Sequence, residues 1–152
     1  MSRKMSEDLR EYISGLDIHE IRLISGEHII TEIIFQSDDE YSVKDPILVE
    51  RSPGESHTAF IEWFPYAAEQ YMSIDKAHII CSSEVDLHSK IHFCRMATAN
   101  KVRRASVSGN DPDQEDIELF KELLIAEVRI NSESHPEDEP IWSESVDTGT
   151  LH

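Results

Sequence analysis

Ile18-His19-Glu20-Ile21-Arg22-Leu23-Ile24-Ser25-Gly26-Glu27-His28-Ile29-Ile30-Thr31-Glu32-Ile33-Ile34-Phe35 is the stretch whose pattern decides the fold. Ile21 and Leu23 alternate with Glu20 and Arg22, the period of two that turns one face of a strand inward. The alternation stops at Gly26, and a second apolar run extends from Ile29 to Phe35. Two such runs with a glycine between them predict a hairpin, with a tight turn at Ser25-Gly26-Glu27-His28.

Three more strand patterns follow. Tyr41 to Val49 comes after the acidic turn Ser37-Asp38-Asp39-Glu40 and contains Pro46, which predicts an interruption or bend. Thr58 to Phe64 follows a Pro53-Gly54 turn and ends at Pro65. Tyr71 to Cys81 is the fifth. Five short strands with no long helix between them must pair antiparallel, because parallel neighbours need crossovers of a dozen or more residues. Fewer than about 70 residues arranged in this way favour a closed sheet over a two-sheet sandwich. The expected fold is therefore mainly β, a five-stranded, strongly bent antiparallel barrel of SH3 or OB type.

The flanks read as helices and a tail. Ser6 is a natural N-cap for a short helix with acids in its first turn and Gly15 at its end, which fills residues 1–17. From Glu84 to about Val102, apolar Val85, Leu87, Ile91, Phe93 and Met96 predict a helix of imperfect spacing, so the barrel plus this helix occupies 18–105. Small and turn-forming residues at 106–113 predict a linker. Residues 114–130 form an amphipathic helix with Ile117, Phe120, Leu124, Val128 and also Leu123 and Ile125 on a broad apolar stripe. The remainder, 131–152, holds three acids in a row between two prolines and few apolar residues, and predicts a disordered acidic tail.

Composition limits what this chain can do. A length of 152 residues, 39% hydrophobic, suits one domain. The net charge of -17 repels phosphate and anionic membrane surfaces, which disfavours a role in coating nucleic acid. Residues 106–152 carry 13 acids and 2 bases, so most of the excess lies in the last third. No apolar run approaches the ~20 residues of a membrane span, and the N-terminus lacks a signal-peptide core. Two cysteines, Cys81 and Cys94, are too few for a disulfide framework, so free thiols in a cytoplasm are expected.

Leu23 with Gly26-Glu27 and Ile29-Ile30, then Asp45-Pro46, then Trp63-Phe64-Pro65-Tyr66, then Ile79-Ile80 form a series with a likeness to a known family. Over residues 18–95 the chain resembles Sm-like (LSm) proteins, and more closely the small Sm-like proteins of T4-like marine cyanophages and related marine metagenomes. The resemblance implies a homo-oligomeric ring in which the fourth strand of one subunit joins the fifth of the next, located in the host cytoplasm. It also implies single-stranded RNA at the pore. The family's Asp-hydrophobic-Asn and Arg-Gly steps are replaced here by Asp38-Asp39-Glu40-Tyr41 and Asp75-Lys76. Tyr41 is then the residue to stack on a base and Lys76 the one to meet a phosphate.

Lys90, Arg95, Lys101, Arg103 and Arg104 form a basic stretch without an acid among them. They read either as a phosphate-contacting patch or as a solvated helix end that attracts the acidic tail. A tethered tail of that charge could also occupy the patch in place of nucleic acid. Trp63 and Phe64, with Ile74, are candidates for the ring interface. His88 and His92 share a helical face, but further ligands stand at no recognisable spacing, so no metal is expected. There is no Gly-rich phosphate loop, Gly-x-Ser-x-Gly elbow or His-Glu-x-x-His. The expectation is a non-enzymatic oligomeric module without a cofactor that binds single-stranded RNA or other nucleic acid. The competing expectation is a protein-interaction scaffold that docks a partner through 114–130.

Overall fold

The computed structural model describes residues 6–51, 54 and 57–130. The stretch expected to be a disordered tail, 131–152, lies outside the described residues.

Helix α1 (Glu7–Ser14) is capped by Ser6, whose hydroxyl accepts the Leu9 N–H at 3.1 Å. Strands β1 (Ile18–Leu23) and β2 (His28–Gln36) then form the expected hairpin, with Ile21 opposite Ile29. Its turn depends on Gly26, which sits at φ 99° and donates its N–H to the Leu23 carbonyl at 2.9 Å.

Strand β3 (Glu40–Arg51) is one strand with two partners. Its first half, Glu40 to Lys44, pairs with β5 (Tyr71–Asp75), and its second half, Ile47 to Arg51, pairs with β4 (Thr58–Glu62). The change falls at Asp45-Pro46. Asp45 has φ 55°, a left-handed conformation tolerated by Asp better than by most residues, and Pro46 has no N–H to give a ladder. Register shifts at Ile30/Glu32 and Ile33/Phe35 bend β2 alongside.

The expected fifth strand, Tyr71 to Cys81, is two strands. A short 3₁₀ turn, Lys76–His78, separates β5 from β6 (Ile79–Glu84) because the Asp75 carboxylate caps it, accepting the Ala77 N–H at 2.9 Å. Beyond this turn β6 leaves β5 and pairs with β1. The result is a six-stranded sheet, ordered β4-β3-β2-β1-β6 with β5 on β3, rather than five strands. Among the described residues no ladder joins β4 to β6, so the antiparallel sheet is open where a closed barrel was expected.

Both faces of this sheet are covered, which explains the paired isoleucines. Ile29 joins Ile21, Leu23, Ile33, Val43 and Ile74 on one face. Its neighbour Ile30 points the other way, to Ile18, Ile47 and to Phe93 and Met96 of helix α2 (Leu87–Val107). Helix α2 carries the second layer, capped by Asp86, whose carboxylate accepts the Ser89 N–H at 2.8 Å. Its spacing is imperfect because it is covered on two sides: Phe93 and Met96 meet the sheet, while Ile91 meets Ile13 of α1 and Leu123 and Ala126 of helix α3, residues 114–130. Helix α2 continues to Val107, into the range read as a linker, and Gly109 at φ 84° turns the chain toward α3.

Candidate functional site

The two residues proposed for RNA contact, Tyr41 and Lys76, meet at one corner of the sheet. The Lys76 N–H donates to the Asp39 carbonyl at 2.8 Å, which brings the 3₁₀ turn against the β2–β3 turn. Lys76 Nζ then lies 4.9 Å from the centre of the Tyr41 ring and donates to Gln36 Oε1 at 3.2 Å. Tyr41 Oη is 3.4 Å from Ser82 Oγ of β6. Residues from three strands and a turn thus converge, and Lys76 already has an aromatic and an amide partner.

The five bases of α2 each face a carboxylate. Lys90, only 5% exposed, donates to Glu84 Oε2 at 2.6 Å and to the Ser14 carbonyl at 2.8 Å, fastening α2 to the ends of β6 and α1. The hydrogen bond and charge of Lys90 hold the Glu84 carboxyl below its ordinary range. Arg95 Nε meets Glu127 Oε1 at 2.5 Å, and Lys101 lies 3.3 Å from Asp116, so both join α2 to α3. Burial pushes the Glu127 carboxyl up, but hydrogen bonds from Arg95 and His92 outweigh it and leave the group below its ordinary value. Arg103 and Arg104 both donate to Glu62, the buried last residue of β4. Two of these carboxylates, Asp116 and Glu127, belong to the acidic last third, but they act from α3 and not from the tail. Their spacing carried the signal: eleven residues is about three helical turns, so they share a face.

Of the residues proposed for a ring interface, Trp63 and Ile74 pack in the same inner cluster. Trp63 donates its Nε1–H to Glu27 Oε2 at 3.1 Å, and its ring centre is 4.9 Å from that of the exposed Phe64. Ile74 is buried within its own sheet. The outward apolar residues of the end strands are instead Phe60 and Ile61 on β4 and Ile80 on β6. The Trp63 N–H also donates to the Pro46 carbonyl at 3.2 Å, so the Asp-Pro and Trp-Phe-Pro-Tyr segments that carried the resemblance are in contact.

Sequence reading missed a cavity of about 410 Å³ between β2, β3 and the helices. Glu32 and Asp45 line it together with the apolar side chains of Ile13, Phe93 and Leu119 and the ring of Tyr71. The Asp45 N–H donates to the Gln70 carbonyl at 2.8 Å, and the buried Gln70 amide donates to the carbonyls of Phe64 and Ala67, which holds the loop after β4 over the bend. Burial raises both carboxyls; Lys44 partly offsets this for each, while Arg104 and Lys101 also pull Asp45 down. Burial, with Glu32 and Asp45 nearby, pushes the Cys94 thiol up to about 12, so it stays protonated at neutral pH and is a poor nucleophile. The only local hint was the Asp-Pro step inside a strand pattern.

His92 of the pair considered for zinc instead bonds Glu127 at 2.6 Å and packs edge-on against Phe60, while His88 is exposed. Among the described residues no group of three or more metal-ligating side chains occurs, and no helix is long and apolar enough to cross a membrane. A scan against protein-family models finds no match, and a search of curated proteins finds none either.

Proposed function

We propose that this protein is a non-enzymatic module of the Sm-like type, of phage origin, whose copies join edge to edge through the sheet and serve as an assembly scaffold in the cytoplasm. The observation that carries this reading is the open sheet. Strand β4 at one end and β6 at the other are short, lack a ladder partner on their outer sides among the described residues, and present Phe60, Ile61 and Ile80 to solvent. An exposed edge with apolar side chains is a template for pairing with another chain, and head-to-tail pairing of unlike edges closes into a ring when the rotation permits.

Docking of a partner by residues 114–130 is the weaker form of the scaffold reading, because Leu123 and Ala126 of that helix are buried against α1 and α2. Single-stranded RNA is a second reading, and the stacking of Lys76 on Tyr41 at one corner favours it. The paired state of Lys90, Arg95, Lys101, Arg103 and Arg104 speaks against a phosphate patch on α2.

Native mass spectrometry of the full chain tests assembly: a discrete multiple of 17.4 kDa is expected, converted to monomer by Ile80→Lys with the fold retained by circular dichroism. A monomeric wild-type protein across micromolar concentrations overturns the reading. Anisotropy of labelled oligouridine separates the RNA reading, since phosphate contacts weaken steeply with salt and would be lost in Lys76→Ala.

A further inference from the structure

The cavity beneath the helices is lined by the carboxylates of Glu32 and Asp45, by Lys44, Lys101 and Arg104, and by hydrocarbon. Glu32 of β2 stands opposite Lys44 of β3 in the sheet register, and Asp45 follows at the bend. Among the described residues, burial and nearby charges act on these two carboxyls, with no hydrogen bond among the causes that shift them. The neighbouring cations are engaged elsewhere, Arg104 by Glu62 and Lys101 by Asp116. Lys44 acts on both carboxylates and lies 6.0 Å from the centre of the Tyr71 ring, while Arg104 and Lys101 act on Asp45 alone. Half-buried anions next to room for a ligand favour a cation that brings its own N–H groups. At about 410 Å³ the space falls within the roughly 300–1,000 Å³ typical of small-molecule sites.

We propose that this cavity binds a small organic ammonium ion with an apolar body, its charged head against Glu32 and Asp45 and its body against Ile13, Phe93 and Leu119. Tyr71 at the same cavity adds an aromatic surface of the kind that attracts ammonium groups. An anion would meet two carboxylates and find Lys101 and Arg104 already paired. No residue of β4 or β6 lines the cavity, so the site stands apart from the edges proposed for assembly.

The probe is hexylammonium, titrated into the full-length ¹⁵N-labelled protein at neutral pH, with hexanol and hexanoate as matched controls. Hexylammonium should shift the amides around Glu32, Asp45 and Tyr71 and bind more tightly than either control. Glu32→Gln and Asp45→Asn, checked for folding by circular dichroism, should each weaken it roughly tenfold or more, the effect of losing one charge-assisted hydrogen bond. Shifts that map elsewhere, wild-type affinity in either variant, or equal binding of hexanol or hexanoate overturn the proposal. Should a variant fail to fold, the comparison of hexylammonium with hexanol on the wild-type protein decides the matter alone.

Discussion

Glu62 offers the sharpest test of what the basic stretch of α2 does. Its carboxylate is 4% exposed and receives both Arg103 and Arg104, which are 52% and 23% exposed. Removing one partner of a fully buried pair costs about 3–5 kcal/mol, because the other charge is stranded. Here both guanidinium groups can partly rehydrate, so we discount the loss for Glu62→Ala to about 2–3 kcal/mol. For a chain of this size that lowers Tm by about 4–12 °C. Urea and thermal unfolding of Glu62→Ala, Arg104→Met and the double variant measure it. A coupling of about 1–2 kcal/mol between the two sites is expected, since they share one network. Oligouridine affinity should be the same in Arg104→Met as in wild type. A loss below 0.5 kcal/mol in Glu62→Ala, or an Arg104→Met variant of native stability that loses RNA affinity, would refute the view that these arginines fasten β4 to α2.

Leu123→Ala should cost about 2–5 kcal/mol and lower the melting of the whole domain in one transition, because Leu123 is fully buried with Ile13 and Ile91; a separate early transition for α3 would contradict its place in the core. Glu32 has a raised folded pKa, so it costs stability as pH rises through that value, and Glu32→Gln should stabilise the protein at pH 7 but not at pH 4. Glu127 has a lowered folded pKa and supplies stability above its unfolded value that is lost as pH falls, so Glu127→Gln should destabilise at pH 7 and matter little in acid. Melts across pH 4–7 distinguish the two signs. Exposed Cys81 should react with a thiol reagent at once, and Cys94, its pKa near 12, only on unfolding. Fast modification of both in the native state would contradict the burial of Cys94.

The strands were legible because each carries its period locally: Ile21 and Leu23 alternate, and Gly26 marks the turn where φ must be positive. The splitting of the last strand was not, since it hinges on one Asp75 carboxylate capping a turn that no apolar pattern announces. Closure of the barrel was inferred from strand number and length, whereas it depends on whether the end strands reach one another, and that is a property of the whole sheet. The same limit applied to the charges. Five bases in sequence read as a patch because their partners, Glu62, Glu84, Asp116 and Glu127, are distant or on other elements. Tyr41 and Lys76, which the resemblance puts at one pore, are neighbours at a corner of the sheet, but the cavity left almost no local trace, being made where six elements meet.

The crease at Asp45-Pro46 also has a protective side. Because β3 changes partner there, β4 and β5 each offer an outer margin of five residues, about 17 Å of backbone, before the direction changes. Fibril-forming contacts rely on uninterrupted runs of about six or seven residues stacked in register. A stray chain that begins to zip along this margin meets the step before it can commit, whereas a neighbour already shaped to the bend does not. One left-handed aspartate and one proline therefore hold each of these two margins to five residues, below the length on which fibril contacts rely.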